Sequence, residues 1–153
     1  MMNYTRETTI QAVKDLTIEE LDFLYDEEAN SIGMLLGHMA AVEKAYQIET
    51  FENRDLTDEE FSRLQAGLDL GSLGQEHFKG KTIEEYLQVL SDVRNITIEK
   101  FKTLPDEWLY EQTPFWYDRP ANNFFKWFHV FEDELSHRGQ IRIIRKMINK
   151  PKK

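Results

Sequence analysis

Residues 124–148 constrain the fold most, because their pattern predicts one long helix whose apolar face also carries ionisable side chains. The inward arc combines the apolar Phe125, Ile143, Ile144 and Met147 with the polar His129, Asp133, Ser136, His137 and Gln140. The opposite side, which we expect to face water, carries Glu134, Arg138, Arg145 and Asn149. Polar groups on an inward face need partners. Asp133 and His137 are one helical turn apart, so they could share one cation. We therefore predict the functional site on this helix.

The composition predicts a single globular domain, residues 1–153. Apolar residues make up 41% of the 153-residue chain and charged residues 31%, as in other globular proteins. The net charge of -9 argues against nucleic-acid binding, which needs a cationic surface. The absence of cysteine excludes disulfides and protein thiolates. There is no signal-peptide pattern or apolar run that could span a bilayer, so we expect a soluble, cytoplasmic protein without a membrane partner.

Helical periodicity recurs along most of the chain and predicts an all-α fold. The principal helices are expected at residues 4–16, 31–51, 82–103 and 124–148. The capping-box spacing occurs at Thr17, Thr57 and Thr82. Asn30 or Ser31 can cap the second of these helices, and Asn122 or Asn123 the last. Four helices of comparable length indicate a four-helix bundle with small helices in its connections.

Two connections are expected to lack regular structure. Gly71, Gly74 and Gly80 indicate a loop, in which His77 has no identifiable partner. Prolines at 105, 114 and 120 exclude a regular helix from the second connection, and no segment has strand periodicity. The aromatic residues of this connection are Trp108, Tyr110, Phe115, Trp116 and Tyr117. They could roof a pocket, cover the core or form a dimer contact.

His38 is a second polar residue on an apolar face. It shares an arc of its helix with Met34, Leu35, Val42, Ala45 and Tyr46. The residues expected to look outward are Lys44, Gln47 and Phe51. His38 is therefore predicted to point into the core.

Two segments resemble signature motifs of the DinB/YfiT-like superfamily. Residues 30–40 follow the pattern N-S-I-x-x-L-x-x-H-[IM]-A, and residues 129–140 resemble H-x-x-x-H-E-x-H-H-R-G-Q. The resemblance implies an up-down-down-up four-helix bundle, often dimeric. It also implies a divalent metal, commonly zinc, nickel or iron, held by three histidines. Carried over position by position, the ligands are His38, Asp133 and His137.

Asp133 departs from that pattern, because the family has a histidine there, and Ser136 replaces another frequent histidine. Aspartate is also a metal ligand, and two histidines with one carboxylate suit zinc or non-haem iron. The carboxylate offsets one unit of the cation's charge, which weakens its action as a Lewis acid. The alternative is a decayed site, in which His38, Asp133 and His137 form a hydrogen-bonded polar cluster.

Several further polar residues allow two interpretations. His129 could be a fourth ligand or handle substrate, but we favour a hydrogen-bonded structural role. Gln140 could donate to the site or pack against another helix. Glu132 and Glu43 lie at the margins of their faces and could act as general base or support a ligand, although surface carboxylates are commoner.

Two functional classes remain, the first implied by the resemblance and the second by the substitution at Asp133 and the lack of an unambiguous general base. The first is a metal-dependent thiol S-transferase or hydrolase that acts on a small molecule, with a low-molecular-weight thiol as a further partner. The second is a non-catalytic, stress-related binding or dimerisation module with a degenerate metal site. A homodimer is expected in either case, from the habit of the family.

Overall fold

The computed structural model describes residues 1–115 and 119–149, which form mainly helices. The helices are α1 (Met2–Val13), α2 (Ile18–Leu21), α3 (Ile32–Phe51), α4 (Asp58–Asp69), α5 (Gly71–Phe78), α6 (Ile83–Phe101) and α7 (Asn123–Ile148). A 3-10 helix at Asp106–Tyr110 precedes two short strands, β1 (Gln112–Pro114) and β2 (Pro120–Asn122). Within these residues, none of the helices has both the length and the apolar character needed to cross a membrane.

The predicted helix caps are confirmed. Thr17, Thr57 and Thr82 each form a capping box, in which the threonine hydroxyl accepts a hydrogen bond from the backbone N–H three residues later. The Ser31 hydroxyl caps α3 by accepting a hydrogen bond from the backbone N–H of Met34. The Asn122 side chain caps α7 by accepting one from the backbone N–H of Phe125. The starts of these helices therefore depend on contacts within four residues of sequence.

Helix α3 lies at the centre of the fold, in contact with α4, α6 and α7, while α1 packs along α7. The main core contains the fully buried side chains Leu21, Ile32, Met34, Leu35, Leu36, Leu90 and Ile141. A second cluster of buried side chains is Tyr46, Trp108, Trp127 and Val130. Because α3 and α7 are direct neighbours, the two sequence motifs are brought together on adjacent helices.

The glycine-containing connection is largely helical, so the prediction of a loop there is wrong. Gly71–Phe78 forms α5. The break before it consists of Leu70 and Gly71, whose φ angles are 58° and 56°. Gly74 lies inside the helix, and a Cβ there would be 3.0 Å from the Ala66 carbonyl oxygen. Gly74 permits close helix packing. From the sequence alone, a glycine with this role cannot be told from a glycine in a loop.

The proline-containing connection includes a short antiparallel pair of strands, which the sequence analysis did not predict. Thr113 pairs with Ala121, and Pro114 with Pro120. Both prolines lie at strand ends, where a missing N–H costs no ladder bond. Of the aromatic residues in this connection, Trp108 is buried and Tyr110 is exposed, whereas Trp116 and Tyr117 lie outside the described residues.

The inward face of α7 differs from the predicted one. Phe125, Ile143 and Met147 are exposed, and only Ile144 of the expected apolar set is buried. Glu134, which was expected in water, is 2% exposed. The reason is that α1 covers the side of α7 that the periodicity assigned to solvent. A helical wheel places residues relative to one another, but it does not show how many neighbours the helix has.

Four charged side chains form a buried cluster between α1, α3, α6 and α7. They are Arg6, Glu43, Arg94 and Glu134, each at most 5% exposed. Arg94 Nε donates to Glu43 Oε1 at 2.7 Å, and its Nη2 donates to Glu134 Oε2 at 2.9 Å. Arg6 Nε donates to Glu134 Oε1, and its Nη2 to Glu43 Oε2, both at 2.9 Å. Two cations and two anions thus neutralise one another and join α1, α3, α6 and α7. The expected marginal position of Glu43 is wrong, because α6 and α7 pack against α3 and Arg6 of α1 reaches the same cluster.

The outward orientation predicted for two further residues of α3 is also wrong. Gln47 is buried and donates to Thr97 Oγ1 at 2.9 Å. Phe51 stacks on Trp127 with a centroid distance of 5.1 Å. Helix α3 has neighbours around most of its circumference, so it has no water-facing stripe of the kind that periodicity predicts.

Candidate metal centre

His38, Asp133 and His137 meet where α3 faces α7. His137 Nε2 lies 3.2 Å from Asp133 Oδ1, and His38 Nε2 lies 3.6 Å from Asp133 Oδ2. Candidate ligand atoms from the three side chains all lie within 4.8 Å of one another. The side chains are 14% to 18% exposed. We call these three residues the triad.

Both histidines are oriented by bonds on the side of the ring away from the triad. His38 Nδ1 donates to the Gly67 carbonyl oxygen at 2.7 Å. His137 Nδ1 donates to Gln140 Oε1 at 3.0 Å. Because these oxygens can only accept, the proton of each neutral imidazole lies on Nδ1 and the lone pair lies on Nε2. Orientation by such an outer bond is usual for metal-binding histidines.

The donor set of the triad fits a cation. With neutral histidines, two nitrogen lone pairs and a carboxylate converge without a proton between them, which is unfavourable unless a positive charge joins them. Asp133 Oδ2 is buried and lacks a hydrogen-bond partner within the described part of the chain. A buried carboxylate oxygen of this kind needs a partner, and a cation beside His38 Nε2 would supply one.

Contacts within the triad shift the pKa values of Asp133 and His137. Burial raises the pKa of Asp133, but in the metal-free protein the hydrogen bond from protonated His137 and the positive charges of His137 and His38 when protonated outweigh it and hold this pKa well below its usual range. Burial lowers the pKa of His137, but its hydrogen bonds to Asp133 and Gln140 lead to a net increase. The carboxylate is therefore ionised at neutral pH, as a metal ligand must be.

Gly67 supplies a part of the site that sequence analysis missed. It lies on α4, and a Cβ at this position would be only 2.5 Å from Ala41 Cβ and 3.1 Å from the Gly37 carbonyl oxygen. The close approach of α4 to α3 is what brings the Gly67 carbonyl to His38. Small residues at Gly37, Ala41 and Gly67 were a usable signal of two helices in close contact, but they did not identify a backbone acceptor.

The remaining polar residues of α7 are distributed around the triad. Gln140 supports His137, as described above. His129 Nδ1 lies 3.3 Å from Glu132 Oε2, and its ring centre is 6.1 Å from that of Tyr46. Ser136 Oγ donates to Glu132 at 3.4 Å. His129 is not among the residues whose ligand atoms converge. His77 lies on α5 with its ring against Phe78.

A cavity of about 700 Å³ is lined mainly by residues of α3 and of the segment that follows it, and none of the three triad residues is part of this lining. Its lining includes Val42 and Tyr46, which are one and two helical turns beyond His38. The negative charge of Asp133 contributes to the raised pKa of Tyr46, although burial is the main cause. Phe115, from the aromatic connection, forms part of the wall. Phe115 thus borders a pocket, as one of the three interpretations expected, while Trp108 is part of the core, as another expected.

Comparison with known proteins identifies the family. The family model described as mycothiol-S-transferase matches residues 1–150. The chain belongs to the mycothiol-S-transferase family. This finding confirms the DinB-like resemblance of the two motifs. No curated protein matches the sequence.

Solved structures share the fold of this family member. A conserved protein of a locus from Enterococcus faecalis superposes with a TM-score of 0.73 at 16% identity, covering 97% of this chain and 94% of that one. A DinB-like protein from Bacillus cereus ATCC 10987 gives a TM-score of 0.70 at 15% identity, covering 95% and 87%. At these identities the likeness concerns the fold, which is mainly helical and DinB-like.

Proposed function

We propose that this protein is a divalent-metal-dependent S-transferase, which joins a low-molecular-weight thiol to a small electrophile. The observation that carries the proposal is the convergence of His38 Nε2, His137 Nε2 and the Asp133 carboxylate within 4.8 Å, with the proton of each neutral imidazole directed away. The family model supports the thiol chemistry. His38, Asp133 and His137 would hold the metal, for which zinc, nickel and iron are the candidates.

A divalent cation bound at the triad would lower the pKa of a thiol and so favour its thiolate at neutral pH. The chain contains no cysteine, so the nucleophile has to come from the thiol substrate. Asp133 contributes one negative charge and the two histidines contribute none, which leaves a net positive site for an anionic thiolate. Three protein ligands also leave coordination positions for substrate. Gln140 and Gly67 keep the rings of the two histidines in place.

The first experiment measures metal content in untagged protein, together with His38→Ala and Asp133→Ala. We expect about one equivalent of a transition metal in the wild type and loss of that metal in both variants. His77→Ala is the matched control, because it removes a histidine outside the triad and should keep the metal. Thiol transfer to a model electrophile should follow the metal content. Full activity in metal-free protein would overturn the proposal.

A second candidate function is a non-catalytic binding module with a degenerate site. The observation that favours it is that Asp133 lies close to both histidines, at 3.2 Å and 3.6 Å, so protonated histidines could satisfy it without metal. This alternative predicts that zinc, nickel and iron leave the melting temperature unchanged. Specific binding to the folded state would raise it.

We also propose the architecture and assembly that the resemblance implies: one domain over residues 1–153, an up-down-down-up four-helix bundle and a cytoplasmic homodimer. The support is the match over nearly the whole chain. Exposed apolar residues on α7, such as Phe128 and Ile143, are compatible with a dimer contact. Sedimentation of the purified protein at several concentrations measures the assembly state, and a monomer throughout would contradict the homodimer.

A further inference from the structure

The cavity of about 700 Å³ described above is lined in part by a buried lysine. Lys126 lies on α7, seven residues before Asp133, which places the two Cα atoms about 10 Å apart along the helix axis. Two turns of helix bring both residues to the same side of α7. Lys126 lines the cavity together with Tyr46 and Phe115, and it is 2% exposed. A buried cation is therefore part of the lining of this cavity.

The bonds of Lys126 are made to neutral groups. Its Nζ donates to Thr113 Oγ1 at 2.5 Å and to the Pro114 carbonyl oxygen at 3.2 Å, and it lies 5.5 Å from the centre of the Phe115 ring. An ammonium group has three N–H donors, so these bonds leave one donor over. Among the described residues, no carboxylate forms an ion pair with Lys126. A buried cation whose direct contacts are all neutral is unfavourable, and an anionic ligand in contact with it would relieve that cost.

The other charged side chains in the lining of the cavity limit the kind of ligand that could bind there. Arg54, its second cation, is already paired with Glu52 at 2.6 Å and with Glu60 at 2.7 Å. Glu49 and Asp55 also line the cavity, and both raise the pKa of Lys126, although burial lowers it more. Lys126 is thus the cation available for a ligand acid, while Glu49 and Asp55 could accept hydrogen bonds from N–H or O–H groups of the same ligand.

We propose that Lys126 is a specificity-determining residue, which binds an acid group of a substrate that reaches toward the triad. The substrate class is a polar organic acid that also carries hydrogen-bond donors, as in a peptide-like or hydroxylated acid. This inference rests on the proposed function in one respect, namely that the triad and the cavity form one substrate site. Binding of the acid group itself does not require the metal.

The test is a binding titration of the full-length protein, as purified and after chelation, with S-methylglutathione and its dimethyl ester as probes. The blocked sulfur removes any dependence on thiol chemistry, and the ester removes the two acid groups. We expect the acid to bind about tenfold or more tightly than the ester, as for a hydrogen bond to a charged group. Lys126→Met should abolish this preference. The matched control Lys146→Met removes an exposed lysine of the same helix and should keep it.

Equal affinity of the wild type for the acid and the ester would overturn the inference, even if Lys126→Met did not fold. A preference that survives in folded Lys126→Met would overturn it as well. Failure of the metal proposal is separate: it would appear as a lack of metal and of thiol transfer, with the preference for the acid unchanged. Conversely, metal-dependent transfer with no preference for the acid would refute only the role of Lys126.

Discussion

Replacing Arg94 by methionine should destabilise the protein strongly, because it breaks the neutral cluster of Arg6, Glu43, Arg94 and Glu134. Arg94 makes bonds of 2.7 Å and 3.0 Å to Glu43 and of 2.9 Å to Glu134. In Arg94→Met, two buried carboxylates would share one arginine, which leaves one uncompensated negative charge. Removing one partner of a buried ion pair costs about 3–5 kcal/mol.

Urea unfolding with linear extrapolation measures this free energy. For a chain of this size, the expected loss corresponds to a fall in melting temperature of roughly 6–20 °C. The deficit should become smaller as the pH is lowered, because the unpaired carboxylate can then take up a proton. The matched control is Arg63→Met, which removes an arginine from an exposed i,i+4 pair with Glu59. That change should cost no more than about 1 kcal/mol.

A double variant tests the charge argument itself. Arg94→Met combined with Glu43→Gln leaves Arg6 paired with Glu134 and restores neutrality with little change in volume. The double variant should therefore be destabilised by less than the sum of the two single changes, with a coupling of about 0.5–3 kcal/mol. The reasoning would be refuted if the costs were additive, or if Arg94→Met cost no more than Arg63→Met.

Three further predictions concern the triad. Gly67→Ala should lower zinc affinity about 10-fold to 100-fold, as changes in residues that orient ligands do. The new Cβ would be 2.5 Å from Ala41 Cβ and would displace the carbonyl oxygen that accepts from His38. Competition with a chelator measures the affinity, and an unchanged value would contradict this prediction. Zinc at about 100 times its dissociation constant should stabilise the wild type by about 2.7 kcal/mol and His38→Ala not at all, as measured by thermal unfolding. In metal-free protein, the raised pKa of His137 means that its ion pair with Asp133 stabilises the fold below pH 6.5 and that this contribution is lost as the pH rises through the raised pKa. Unfolding of the wild type and His137→Gln from about pH 5 to about pH 9 measures it, and a difference that does not shrink toward high pH would refute it.

Part of the site was predictable because it depends on contacts that are local in sequence. The i,i+4 spacing of Asp133 and His137 puts both side chains on one side of any helix that contains them. The caps at Thr17, Thr57 and Thr82 likewise involve residues three positions apart. The DinB-like resemblance then identified His38 as the residue to join the pair, and the structure places it within 3.6 Å of Asp133.

The sequence by itself thus determined the principal helices, the starting residues of those with side-chain caps and the pairing of Asp133 with His137, since each of these follows from short-range spacing, while the resemblance supplied His38. Only the tertiary structure decided that Glu134 and Glu43 are buried with two arginines, because burial depends on which distant helices return against a face. The same holds for the Gly67 carbonyl, which reaches His38 only when α4 packs closely on α3. Lys126 became a candidate for substrate binding through its position in the lining of a cavity, and a cavity is formed by segments far apart in the chain.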